Sequence, residues 1–243
     1  MAITPLISTT HQFIKKHPIV LTPFLLSSVI FTLVVLMHPT LLPSSLANIT
    51  PKQTAFALFA ICITTLAKII TLEGVQSHSN GMAFSVKRTL KNGGIVALNL
   101  LALAIPCFGF LMLALSKAGV LAHLFPGNLA ALVAALGLTV LLIPLTLIAE
   151  LIPCAVILGQ VRWYQPIGAS LRFIKTHPKA TLITYGLLFT TLLIGRLWGV
   201  MLENIPIAGP TLRSLVEGLS TAYAYVLLGL FFISKISRIQ THC

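Results

Sequence analysis

Every carboxylate side chain in this 243-residue chain belongs to a glutamate: Glu73, Glu150, Glu203 and Glu217. Aspartate is absent. Magnesium and calcium sites need several oxygen ligands converging on one point, and four scattered glutamates do not supply them. The P-loop pattern G-x-x-x-x-G-K-[ST], the zinc pattern H-E-x-x-H and the serine-protease pattern G-x-S-G are all missing. Histidines stand at 11, 17, 38, 78, 123, 177 and 242, never at i, i+4. Cys62, Cys107 and Cys154 lie in apolar stretches, Cys243 ends the chain, and no C-x-x-C occurs. They read as small buried hydrophobes rather than a disulfide framework. The residues therefore point to no catalytic set, no metal and no cofactor, and away from an enzyme.

What remains is charge inside apolar sequence, where an ionisable residue is costly and functional by default. Glu150 stands in Pro144-Leu-Thr-Leu-Ile-Ala-Glu150-Leu-Ile-Pro153, twelve positions before the basic edge at Arg162. At 1.5 Å per helical residue it is roughly 15–18 Å deep, the only glutamate expected to lie so deep. The two prolines can leave backbone carbonyls unpaired beside it. Ionised, Glu150 needs a cation, and Lys68 is the one available. A second pair, Arg196 with Glu217, is expected near the opposite ends of the last two apolar stretches. Gly195-Arg-Leu-Trp-Gly199 is a G-x-x-x-G, which permits close helix approach. Trp198, Tyr223 and Tyr225 read either as interfacial anchors or as packed side chains.

The elements that position these charges follow from composition. The chain is 57% apolar and only 8% charged, against about 25% charged in a soluble domain. That excludes a soluble enzyme, a disordered tail and a soluble nucleic-acid binder, despite a net charge of +12. A spanning helix needs about 20 apolar residues, and six stretches qualify: Ile19–Met37, Lys52–Leu72, Gly94–Leu115, Asn128–Leu158, Lys179–Met201 and Ser214–Lys235. The first is longer than a signal-peptide core and reads as a retained anchor. The expected fold is all-α and polytopic, one integral membrane domain over 1–243. With the N-terminus in the cytoplasm, Lys15, Lys16, Lys68, Lys87, Arg88, Lys91, Arg162, Arg172, Lys175, Lys179, Lys235 and Arg238 fall on or near the inside. Only Lys52, Lys117, Arg196 and Arg213 fall on or near the outside. The positive-inside rule therefore places both termini in the cytoplasm, and short loops without extra domains suggest a bacterial inner membrane.

A near-duplicate sets the internal organisation. Phe13-Ile14-Lys15-Lys16-His17-Pro18 matches Phe173-Ile174-Lys175-Thr176-His177-Pro178 at every position but Lys16/Thr176. Arg88-Thr89-Leu90-Lys91-Asn92-Gly93-Gly94 is a weaker third copy. The repeat units run over about 4–72, 80–161 and 165–238. Each is expected to begin with an amphipathic helix at the membrane interface, to break at His-Pro or Gly-Gly, and to continue as a spanning helix. Proline favours such a break, because it restrains the residue before it and fits a helix first turn. Lys15, Lys16, Lys87, Arg88, Lys91, Arg172 and Lys175 on these elbows are the expected contacts to anionic lipid head groups, each contributing about 1 kcal/mol near the surface. Membrane lipids are thus the expected partners, and nucleic acid is not.

Two elbow segments carry a family resemblance: Ile167-Gly-Ala-Ser-Leu-Arg-Phe-Ile-Lys175 after a long fourth span, and Met82-Ala-Phe-Ser-Val-Lys-Arg-Thr-Leu-Lys91. With six spans and an amphipathic segment before each odd one, the chain resembles the membrane domain of membrane-anchored glycerophosphodiester phosphodiesterases and its stand-alone relatives. The resemblance implies the six-span architecture. It does not bring the phosphodiesterase activity, which belongs to a separate soluble barrel with Glu, Asp and His ligands. Two functions are expected: a lipid-interacting membrane scaffold working through the basic elbows, or a small transporter using Glu150. A polar cavity reaching Glu150 would favour the transporter, and a dry bundle around it the scaffold.

Overall fold

The computed structural model describes residues 3–41, 50–81, 84–104, 145–159, 161–162, 164–203, 205 and 208–240. No strand occurs among them. The helices are α1 (Ile3–Lys16), α2 (Thr22–Met37), α3 (Pro51–Asn80), α4 (helical over 86–104), α5 (Leu145–Ile157), α6 (Pro166–Thr176), α7 (Pro178–Glu203) and α8 (Gly209–Gln240). Among the described residues, four stretches are long and apolar enough to cross a membrane: Pro18–Met37, Pro51–Asn80, Pro178–Glu203 and Gly209–Lys235. Apolar side chains on their outer faces are exposed, among them Leu26, Leu58, Ile61, Leu182 and Leu197. In water such faces would aggregate, whereas against acyl chains they cost nothing. This is the build of a helical membrane protein. The expected third and fourth spans, Gly94–Leu115 and Asn128–Leu158, fall largely outside the described residues.

Local chemistry sets the helix ends. The α3 N-terminus is a capping box: Thr50 Oγ1 accepts from Gln53 N at 3.3 Å, and Thr50 N donates to Gln53 Oε1 at 2.9 Å. Its C-terminus is Gly81 at φ 65°, a left-handed conformation that favours glycine. The helix is therefore 30 residues long, or about 45 Å, against roughly 30 Å of hydrocarbon. Its last turns, from Glu73 onward, project beyond the apolar stretch. Span two thus ends eight residues later than hydropathy alone suggests.

The two His-Pro elbows share one backbone geometry. His17 has φ −132° and ψ 62°, and His177 has φ −129° and ψ 51°. His17 N donates to Phe13 O at 2.8 Å, and His177 N to Phe173 O at 2.9 Å. The third copy differs from expectation, since α4 runs unbroken through Gly93-Gly94. Glycine weakens a helix but keeps its N–H donors, and without proline nothing stops the hydrogen-bond ladder.

Helix α8 is the hub. It packs most extensively on α7 and also against α1, α2 and α3. Over its most apolar 18 residues 56% are buried, against 17–28% for the corresponding stretches of the other three. Missing side chains seat the neighbours. A Cβ at Gly195 would stand 2.2 Å from Ser220 Oγ, and one at Gly199 would stand 3.1 Å from Arg213 Cγ. The G-x-x-x-G of α7 is thus its seam with α8. Gly218 of α8 faces α2 in the same way, 2.8 Å from Ser28 Oγ.

Candidate functional site

Three helices carry stripes at helical spacing toward one point. On α8 the stripe is Glu217, Thr221 and Tyr225, on α3 it is Thr64 and Lys68, and on α7 it is Phe189, Leu193 and Arg196. Helix α5 adds Glu150. Together they line a cavity of about 490 Å³, within the 300–1,000 Å³ range of ligand sites. A second cavity of about 330 Å³ shares Thr64, Glu217 and Thr221 with it and continues along α2 to Ser28 and Ser214.

At the floor of the larger cavity, Lys68 Nζ donates to Glu150 Oε1 at 3.0 Å and to Oε2 at 3.1 Å. The Tyr225 hydroxyl donates to Glu150 Oε2. Lys68 Nζ also lies 4.9 Å from the Tyr225 ring centroid, a cation–π contact. Phe24 also stacks on that ring, with centroids 5.1 Å apart. Three donor contacts converge on the Glu150 carboxyl oxygens. Pro153 sits inside α5 without an N–H to offer, so the ladder is interrupted beside the glutamate. Lys68 and Glu150 remain 20% and 24% exposed, so the pair is not fully enclosed. Counting from His78 at the elbow end, Lys68 is ten residues along α3, or about 15 Å.

A different carboxylate is the most buried. Glu73 has no exposed surface. Arg88 Nε donates to its Oε2 at 2.8 Å and Asn92 Nδ2 to its Oε1 at 2.5 Å, while Arg88 Nη2 donates to Ser77 Oγ at 3.2 Å. Both oxygens are satisfied, and the cluster ties the end of α3 to the start of α4. This corrects one expectation: Arg88 is not a free head-group contact, because its guanidinium is engaged by Glu73.

The expected Arg196–Glu217 bridge is also replaced. Glu217 Oε1 accepts from Arg213 Nε at 3.0 Å, one turn away on α8, and Arg213 Nη1 also bridges Glu203 at 2.5 Å. Arg196 forms no ion pair among the described residues, although it lines the same cavity as Glu217. Tyr225 is a buried site residue, whereas Trp198 faces outward. Cys154 is buried as expected but Cys62 is exposed. Thr64, Thr221 and Tyr225 were missed as site residues, although each stands four positions from Lys68, Glu217 or the next member of its stripe.

At the elbow end, Lys15, Lys16, Lys87, Lys91, Arg172 and Lys175 are exposed. His17 stacks on His78 with ring centroids 4.2 Å apart and on Phe13 at 5.1 Å. Burial, then the charge of His78 and of Lys16, pushes the His17 pKa down. Burial and then Lys235 do the same for His177, which packs edge-on to Phe173. Among the described residues no cluster of His, Cys, Asp or Glu is arranged to hold a metal.

No family model, curated protein or solved structure matches the chain.

Proposed function

We propose that this chain is a multi-pass membrane carrier for a small polar solute, bound midway through the bilayer at the Lys68–Glu150–Tyr225 site. The cavity of about 490 Å³ that reaches Glu150 carries this reading. Polar and ionisable side chains inside apolar helices are expensive, and these, although paired, still border open space. The proline in α5 beside Glu150 is the kind of broken helix from which carriers build such sites. The reading includes six spans in three elbow-hairpin units with both termini in the cytoplasm, in a bacterial inner membrane. Twin elbow angles at His17 and His177 and the basic charge beside them support that layout.

The test is uptake by proteoliposomes screened with radiolabelled amino acids, organic acids and amines. At least one class should accumulate, and Glu150→Gln should abolish accumulation while the protein stays monodisperse. Undiminished accumulation by that variant would contradict the reading.

A second reading rests on the elbows, whose six exposed cations suit anionic head groups. Here the chain is a lipid-interacting scaffold. Neutralising Lys87, Arg172 and Lys175 together should weaken binding to phosphatidylglycerol vesicles, and unchanged binding would remove this second reading.

A further inference from the structure

The charges around the cavity are of both signs, and they are not all taken up in ion pairs one to one. Lys68 and Glu150 neutralise each other at 3.0 Å. Arg213 serves two carboxylates, Glu203 at 2.5 Å and Glu217 at 3.0 Å, so that cluster keeps one excess negative charge. Arg196 lines the cavity without an ion pair among the described residues and keeps one excess positive charge. These two excesses are close in space. A Cβ at Gly199 would lie 3.2 Å from Glu217 Oε1, and Arg196 is three residues from Gly199, about 4.5 Å along the same helix. Between the charges and the Lys68–Glu150 floor, Phe189, Leu192 and Leu193 form an apolar wall.

From this arrangement we infer that the cavity takes a zwitterion, a ligand with an anionic oxygen group for Arg196, an ammonium for Glu217 and an apolar portion against the α7 wall. The inference rests on the carrier reading and names its substrate class. Arg196 and Glu217 line one cavity and both remain at least partly exposed, so a ligand carrying both signs can meet each of them. A plain anion leaves the Glu203–Arg213–Glu217 excess in place, and a plain cation leaves Arg196. The charge-assisted contacts are short and strong, and a ligand whose two charges sit a few ångströms apart reaches both. A free amino acid and a phosphoethanolamine head group share this chemistry.

Equilibrium binding to the full chain in detergent separates the possibilities with three probes of one shape: leucine, isocaproate and isoamylamine. These carry both charges, the anion alone and the cation alone. A parallel arm measures retention of phosphatidylethanolamine against phosphatidylglycerol by native mass spectrometry. The zwitterion of at least one set should bind and its single-charge relatives should not. Leucine alone would identify a free solute, and phosphatidylethanolamine alone a lipid head group. Arg196→Gln should weaken the zwitterion about 10-fold or more, and Arg196→Lys should recover part of that loss. Arg196-dependent binding of isocaproate as tight as leucine would overturn the zwitterion while leaving the carrier reading intact. Binding of no probe would overturn the zwitterion as well, and the Glu150→Gln uptake assay judges the carrier reading separately.

Discussion

Glu73 and Glu150 are two carboxylates on apolar helices, each paired with one cation and one neutral donor, and they differ in enclosure. Glu73 is enclosed, with both oxygens hydrogen-bonded by Arg88 and Asn92. Glu150 sits at a cavity floor, paired with a lysine and a tyrosine and still partly exposed. A buried pair with all its hydrogen bonds met fixes how helices meet. A pair beside open space has room for a third party, and that separates a structural charge from a working one better than depth alone.

The largest expected effect lies on the enclosed side. Arg88→Ala strands Glu73 in a closed site, and removing one partner of a buried pair costs about 3–5 kcal/mol. Thermal unfolding in detergent should show a large drop in Tm. A Tm near that of the parent would erase the distinction. Next comes a contrast between adjacent residues of α7. Gly195→Val drives a side chain into Ser220 and should cost about 1–3 kcal/mol by overpacking, whereas Arg196→Gln faces the cavity and should leave Tm nearly unchanged. Equal Tm losses would mean that the cavity wall is part of the packed core. Smaller again, Tyr225→Phe removes one hydrogen bond to Glu150 and should cost about 1 kcal/mol, read from the same unfolding curves. A cost as large as that of Arg88→Ala would place Glu150 in the structural class.

The smallest effect is a pH dependence at the elbows. Burial and neighbouring cations lower the pKa of His17 and of His177. A histidine whose pKa is lower folded than unfolded contributes stability above its unfolded value, near 6.5. That contribution is lost as pH falls through the folded value. Acidification from neutral pH to below 6 should therefore loosen the elbows, seen as faster proteolysis at the α1–α2 and α6–α7 junctions.

The parts legible in the sequence were those encoded by neighbouring residues. Prolines at 18, 51 and 178 mark helix starts to within a residue of the hydropathy boundaries, and the repeated His-Pro forces the same break twice. Gly93-Gly94 was a poorer guide because glycine permits a break without requiring one. Glu73 escaped because apolarity fades at Leu72, while the true stop is Gly81 and the covering residues come from α4. Lys68 and Glu150, 82 positions apart, could be paired from depth alone, since each was the charge most in need of a partner. Arg196 and Glu217 could not, because Arg213 stands at i−4 from Glu217 on the same helix and reaches it first. Tyr225 was ambiguous as a single residue, and its role shows only in the stripe with Glu217 and Thr221.

Solvent access measured at the two sites tests the central claim most directly. In a background with Cys62, Cys107, Cys154 and Cys243 replaced by alanine, single cysteines are placed at Thr221, on the cavity stripe, and at Val75, fully buried on the enclosed stretch of α3 two residues from Glu73. A membrane-impermeant methanethiosulfonate reagent is then applied to intact membranes and, separately, to opened ones. The account predicts that Thr221→Cys is modified and Val75→Cys is not. An unmodified Thr221→Cys under both conditions, with the protein folded, would contradict it.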